Sequence, residues 1–224
     1  MTLILWGRRN SSNVQKAVWA LEALGLDYER RPAGGSLGGV AEPAYRAMNP
    51  NGLVPTLQDG DLTLWESDAI LRHIARKHGR GTLWPEDEAT LAQADQWATW
   101  NSTTLWPSAA PVFFGTIRTA RAEQQTERLA AAAEKMRAAL AILDRALEDR
   151  EHLIGDGRTF GEIGPAISAR RILALPYGAP AREDVPNVAR WLDALRARPV
   201  FRDHIDLPMG TCLEEWLELE RADP

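Results

Sequence analysis

A single cysteine, Cys212, stands in a chain of 224 residues. One cysteine cannot close an internal disulfide, and no Cys-x-x-Cys pair or Cys/His ligand spacing is present. A reducing compartment, the cytoplasm, is therefore expected. Basic residues are outnumbered: Lys and Arg total 26 against 31 Asp and Glu, a net charge of −5. Nucleic acid and anionic membranes both select basic patches, so neither is expected as a partner. Long hydrophobic runs are missing too. No stretch of about 18 apolar residues occurs, and no membrane-spanning helix is predicted. The opening stretch to Trp6 lacks a basic segment before its apolar residues, so no cleaved leader is expected. His73, His78, His152 and His204 show no ligand spacing and read as surface or packing residues, leaving no metal expected. Gly34, Gly35, Gly38 and Gly39 are not followed by Lys-Ser/Thr, which argues for a plain loop over a phosphate loop. Internal repeats and low-complexity tracts are absent.

What is there suits a globular protein with a sizeable core. Hydrophobic residues make up 45% of the chain, and nine are tryptophans, most of them beyond residue 80. The tryptophans read first as packing residues of a helical region. Residues 3–6 read as a strand, followed by a polar turn. Val14, Ala17, Val18, Leu21 and Leu24 recur at helical spacing, and Gly25 is a stop signal. Asp27–Arg31 makes a second strand. Asn49 to Leu57 is a turn entering a strand, Asp59-Gly60 is a hairpin signal, and Leu62–Trp65 pairs back. Glu66, Ser67 and Asp68 then open a helix. Residues 79–88 read as a linker. Helical spacing follows over 88–106 and 123–149, with Pro107 and Pro111 expected to break or kink the first. Thr159 and Glu162 have the spacing of a capping box that starts a helix to about Leu175. Another helix is predicted over about 185–198. Strands followed by a run of helices predict an α/β domain and then an all-α domain.

Three local features can carry chemistry. Ser11, Ser12 and Asn13 precede the first helix. A helix N-terminus offers unpaired N–H groups and partial positive charge, which favour an anion such as a thiolate. Simple N-capping explains the same residues. Val54-Pro55 interrupts a strand. A cis bond there would turn the Val54 main chain outward to pair with an extended peptide. Glu66-Ser67 opens a helix, where a carboxylate can bind the N-terminus and Ser67, while Glu66 takes an ammonium group. An amino acid's two charged ends fit side by side there.

The order of these features resembles the glutathione transferase superfamily. The sharpest parts are SSNVQKAVWALEALGLDYE at 11–29 and NPNGLVPTLQDGDLTLWESDAILRHIARKHG at 49–79, and the likeness covers essentially the whole chain. The resemblance implies an α/β thioredoxin-like N-terminal domain over 1–80 and an all-α C-terminal domain over 88–224. It also implies a cis Val54-Pro55 bond, Val54 pairing with the cysteinyl backbone of glutathione, and Glu66 and Ser67 holding the γ-glutamyl end. Ser11 best matches the catalytic serine of several classes, while Ser12 and Asn13 match others. No tyrosine or cysteine lies nearby, which weakens a disulfide-exchange reading.

The implied function is conjugation of glutathione, as co-substrate, to small apolar electrophiles by a homodimeric enzyme. Peroxide reduction, isomerisation and a non-catalytic glutathione carrier are the alternatives. Trp6, Trp100, Thr103, Thr104, Trp106, Phe113 and Phe114 are the candidates for the second-substrate wall. Arg8, Arg9 and Arg118 could favour anionic substrates, with a solvated surface role preferred. Leu53 stands where some classes use a polar residue, so only backbone contacts are expected there. Gly161, Gly164 and Pro165 weaken the start of their helix, which is expected to be formed but kinked.

Overall fold

The computed structural model describes residues 3–222. Met1, Thr2, Asp223 and Pro224, at the outer ends of the two expected domains, lie outside the described residues. The chain opens with β1 (Leu3–Trp6), α1 (Ser12–Ala23) and β2 (Tyr28–Arg31). Strands β1 and β2 pair in parallel, as a helical crossover requires. A short helix α2 (Pro43–Met48) leads to β3 (Thr56–Asp59), β4 (Leu62–Trp65) and α3 (Ser67–His78). The β3–β4 hairpin is antiparallel, and the sheet order is β2-β1-β3-β4. This is the thioredoxin-like arrangement. Helix α2 has no counterpart among the elements expected from sequence, because its six residues carry no amphipathic period.

Helix α1 is buried nearly all round. Val14, Ala17, Val18 and Leu21 are at most 5% exposed, and Gln15 and Lys16 are buried with them. Burial of each large apolar side chain here contributes roughly 1.5–3 kcal/mol. The polar pair is buried because α1 packs on α3 and also on α7 (Phe160–Leu173), which joins the two halves of the molecule.

The second half is helical. Helix α4 (Glu88–Trp100) passes through one turn of π-helix (Asn101–Leu105) into α5 (Trp106–Thr116). Pro107 is in the first turn of α5 and Pro111 lies inside it, and the helical run continues past both with a register change at the π turn. Helix α6 (Ala130–Ala146) begins later than its periodicity suggests, because 121–129 forms short 3-10 turns. After α7 come α8 (Pro186–Arg196), α9 (Pro199–His204) and α10 (Leu213–Ala222). The last two are not among the helices expected from sequence. Among the described residues no helix is long and apolar enough to cross a membrane.

The capping box at Thr159 does not form. Thr159 is the N-cap of α7, but its side chain makes no capping bond, and Oγ1 is buried without a partner. Glu162 instead accepts the Ile154 N–H at 3.1 Å, tying the preceding loop to the helix. Gly161 and Gly164 serve packing. A Cβ on Gly161 would lie 2.3 Å from the Ala94 carbonyl oxygen, and one on Gly164 would lie 2.7 Å from Asn101 Nδ2. The residues that weaken the helix in isolation let α7 approach α4 closely.

Candidate active site

The turn after β1 delivers Ser11 to the N-cap of α1 in an extended conformation, and its carbonyl accepts from Gln15 N–H at 2.9 Å. A serine at an N-cap ordinarily spends its hydroxyl on the helix. Here the side chain makes no capping bond. Ser11, Ser12 and Asn13 border a cleft of about 370 Å³ together with Leu53 and Val54. The first N–H groups of α1 face no intrahelical acceptor, so this end of the cleft is electropositive.

The Val54-Pro55 peptide bond is cis. The β3 ladder starts at Thr56, which leaves Val54 outside it on the cleft wall. Leu53 is 65% exposed, and its carbonyl accepts from Tyr45 Oη at 2.7 Å and Asn49 Nδ2 at 2.8 Å. Those bonds hold the approach to Val54 from beneath.

A recess of about 200 Å³ adjoins the cleft and shares Ser12, Asn13 and Trp106 with it. Glu66, Ser67 and Asp68 form its other side. Glu66 is held at φ 72°, a left-handed conformation rare for a residue with a Cβ. Ser67 Oγ donates to Asn13 Oδ1 at 3.2 Å and accepts from Lys16 Nζ at 3.3 Å. Lys16 also donates to Asp68 Oδ1 at 2.7 Å, and Ser102 Oγ donates to the other oxygen of Asp68. Asn13 is thereby drawn toward the Ser67 end, whereas Ser11 borders the cleft alone and Ser12 stands at the junction.

Helix α5 supplies the apolar wall through Trp106, Phe113 and Phe114. Trp6, Trp100, Thr103 and Thr104, expected on that wall, lie off it. Strand alternation turns Trp6 away, where its ring meets Tyr45 edge-on and Nε1 donates to Gln58 at 2.9 Å. Trp100 packs on Trp97, one helical turn back, at 5.1 Å. Thr103 and Thr104 are exposed on the π turn. Arg9 donates to the Asp203 carbonyl and does not border the cleft, but Arg8 and Arg118 do.

One helix and one side chain missed in the sequence complete the cleft. Helix α10 presents Trp216 and Glu220, four residues apart on one face. Glu220 accepts from Ser36 N–H at 2.7 Å and pairs with Arg8 at 2.8 Å. Gly35 accommodates that carboxylate, since a Cβ would come within 2.7 Å of it. Arg171 of α7 donates to the Asn10 carbonyl at 2.6 Å and to Gln15 Oε1 at 3.0 Å. A readable signal existed: Arg170-Arg171 is a pair of adjacent charges in a helix whose other residues, Glu162 apart, are uncharged. A larger cavity of about 920 Å³ lies between Trp19, Thr82, Arg158 and Phe201, and neither Ser11, Val54 nor Ser67 borders it.

Known proteins fit this geometry. A family model for the N-terminal domain of glutathione S-transferase matches residues 1–76, and one for the C-terminal domain matches 105–199. The chain belongs to the glutathione S-transferase family. Glutathione S-transferase GstB of Escherichia coli K12 is 35% identical over 210 residues, spanning 93% of this chain and all of the relative. Glutathione S-transferase 4 of Zea mays is 32% identical over 203 residues, 87% of this chain and 88% of the relative. Among solved structures, the theta class glutathione S-transferase of Xanthomonas axonopodis pv. citri with glutathione bound is 38% identical. It superposes with a TM-score of 0.87 over 93% of this chain and 99% of that one.

Proposed function

We propose that this glutathione S-transferase holds glutathione along the line from Ser67 to Ser11 and presents its thiolate to a small electrophile. The γ-glutamyl carboxylate takes the N-terminus and hydroxyl at Ser67, and Glu66 takes the ammonium group. The cysteinyl backbone pairs with Val54 in the manner of an added strand. The sulfur then stands at Ser11. The observation that carries this reading is the Ser11 hydroxyl, which sits at an N-cap on the cleft wall and makes no bond to its own helix.

The thiolate is the nucleophile, and a free thiol has a pKa of about 8.5. Lowering it by one unit requires about 1.4 kcal/mol of preference for the charged form. A hydrogen bond to a charged group contributes roughly 1.5–3 kcal/mol, so one hydroxyl donor suffices. Ser11 donates throughout and does not ionise. The electrophile approaches from the Trp106, Phe113 and Phe114 side.

Steady-state conjugation with a chloronitrobenzene electrophile tests the assignment. Ser11→Ala is expected to lower kcat/KM about 10- to 100-fold. An undiminished rate in Ser11→Ala with a loss in Ser12→Ala would move the donor to Ser12. Retention on immobilised glutathione without turnover would make the chain a carrier. We further assign the two functional units to 1–80 and 88–224 and place a homodimer in the cytoplasm. Twofold dimers are the commonest oligomers, and the chain spends no cysteine on cross-links. Sedimentation at a single chain's 24.8 kDa would contradict the dimer.

A further inference from the structure

The cleft of this acidic protein is cationic. Arg8, Arg118 and Arg171 border it, and among the described residues no Asp or Glu does. Glu220, packed behind, answers Arg8 alone at 2.8 Å. Arg118 forms no ion pair among the described residues; its guanidinium lies 5.2 Å above the Trp216 ring. Arg171 is 4% exposed and donates only to two neutral oxygens, with Nε unpartnered. Its Cζ lies 5.8 Å from the centre of the same Trp216 ring. Burial and the nearby charges of Arg170, Arg8 and Arg118 push Arg171 down to about 9, which still leaves it charged at neutral pH.

Buried charges are ordinarily paired, because an unpaired one forfeits its hydration without return. Two guanidinium groups on one aromatic ring without a counter-charge are therefore unusual. One more buried donor shares their surroundings unpartnered. Trp216 Nε1, on a residue 1% exposed, has no partner, whereas the Asn10 side chain is turned to the Glu220 carboxylate. Asn10 and Trp216 both border the cleft. Unsatisfied buried donors around fixed positive charge define an anion site, and the planar fork of arginine matches a carboxylate. The cleft must also admit the sulfur end of glutathione, so the second substrate is small.

We infer that the electrophile is a small carboxylate-bearing molecule whose anionic end is held by Arg118 and Arg171 beside Trp216. This rests on the proposed placement of glutathione at Ser11. For a halocarboxylate probe the step is a displacement. The thiol has already lost its proton to solvent. The sulfur lone pair forms a C–S bond to the carbon bearing the halogen, the C–halogen bond breaks, and halide leaves with its electron pair. The products are the S-carboxymethyl conjugate, halide and one proton.

Iodoacetate and iodoacetamide differ in charge and hardly in size. Each catalysed rate is divided by the rate of free glutathione with the same reagent. The enhancement is expected to be at least about tenfold larger for iodoacetate. Calorimetry gives a readout without turnover. S-carboxymethylglutathione should bind at least about tenfold tighter than S-carbamoylmethylglutathione, and in Arg118→Gln, which leaves Arg171 in place, that ratio should fall roughly threefold or more. Arg118 is partly exposed, so its replacement leaves the core alone. Equal affinity of the wild type for both conjugates overturns the carboxylate site while leaving glutathione binding standing. A ratio unchanged in Arg118→Gln, or an equal loss for both conjugates with a raised thiol pKa, also overturns it. Failure to bind glutathione and both conjugates sinks the glutathione reading and this inference together.

Discussion

Glu66 holds its backbone at φ 72° and ψ 112°, outside the regions open to a residue with a Cβ. Such a conformation costs of order 1–3 kcal/mol and persists where the surroundings over-determine it. A glycine relieves the strain but adds roughly 0.4–1 kcal/mol of unfolded-state entropy to be lost on folding. The relieved strain outweighs that entropy, so Glu66→Gly should raise Tm. It should also weaken glutathione binding, because the proposed ammonium partner is gone. Differential scanning calorimetry and a glutathione titration on one sample separate the two effects. At this scale much was legible. Ser11, Ser12, Asn13, Val54, Glu66 and Ser67 border one cleft and its recess, as their local motifs suggest. Lys16 and Arg171 were not legible as buried residues. A charge beside an apolar face looks solvated until another helix covers it, as α3 does for Lys16 and α1 for Arg171.

Helix α7 shows how an element departs from its local sequence. Gly161 and Gly164 lower its intrinsic propensity, and Thr159 and Glu162 mimic a capping box. Tertiary contacts decide both features. Since the neighbour of Gly161 is backbone, which cannot yield, Gly161→Ala should destabilise the fold by about 1–3 kcal/mol in urea denaturation. Glu162 is buried, and burial pushes its carboxyl up to about 8, against which the Ile154 and Leu153 N–H groups pull. His152 Nδ1 stands 3.9 Å away, beyond hydrogen-bond reach. The folded chain thus keeps a proton that the unfolded chain releases near 4.5. Between those values the unfolded state binds fewer protons. This contribution to stability is full below about 4.5 and lost as pH rises toward about 8. Tm should fall from about pH 5 to about pH 8, with a flatter profile in Glu162→Gln. Helices α2 and α9 are illegible in sequence because six residues hold too little periodicity. Helix α10 was missed although Trp216 and Glu220 mark one of its faces.

Across the whole molecule, α1 packs on α3 on one side and α7 on the other, while α10 reaches the loop at Gly35. The two halves therefore meet at the cleft. Glu220 is the fastening. Burial alone would raise its carboxyl, but the Ser36 bonds and the Arg8 charge outweigh that and hold it low. Glu220→Gln removes the charge facing Arg8 and should cost roughly 1.5–3 kcal/mol, read by chemical denaturation. Long-range pairings of this kind, 184 residues apart for Ser36 and Glu220, carry no local pattern. The order of the four strands and of helices α1, α3, α4, α6, α7 and α8, by contrast, follows from period and turn signals.

In the proposed complex, Ser11 faces and stabilises the glutathione thiolate in this cleft. A pH titration of thiolate absorbance in that complex tests its role without turnover. The bound thiol should ionise at least about one unit below its free value of about 8.5, and Ser11→Ala should return it most of the way. A bound thiol that titrates at the free value, or a lowered pKa that Ser11→Ala leaves unmoved, would contradict that role for Ser11.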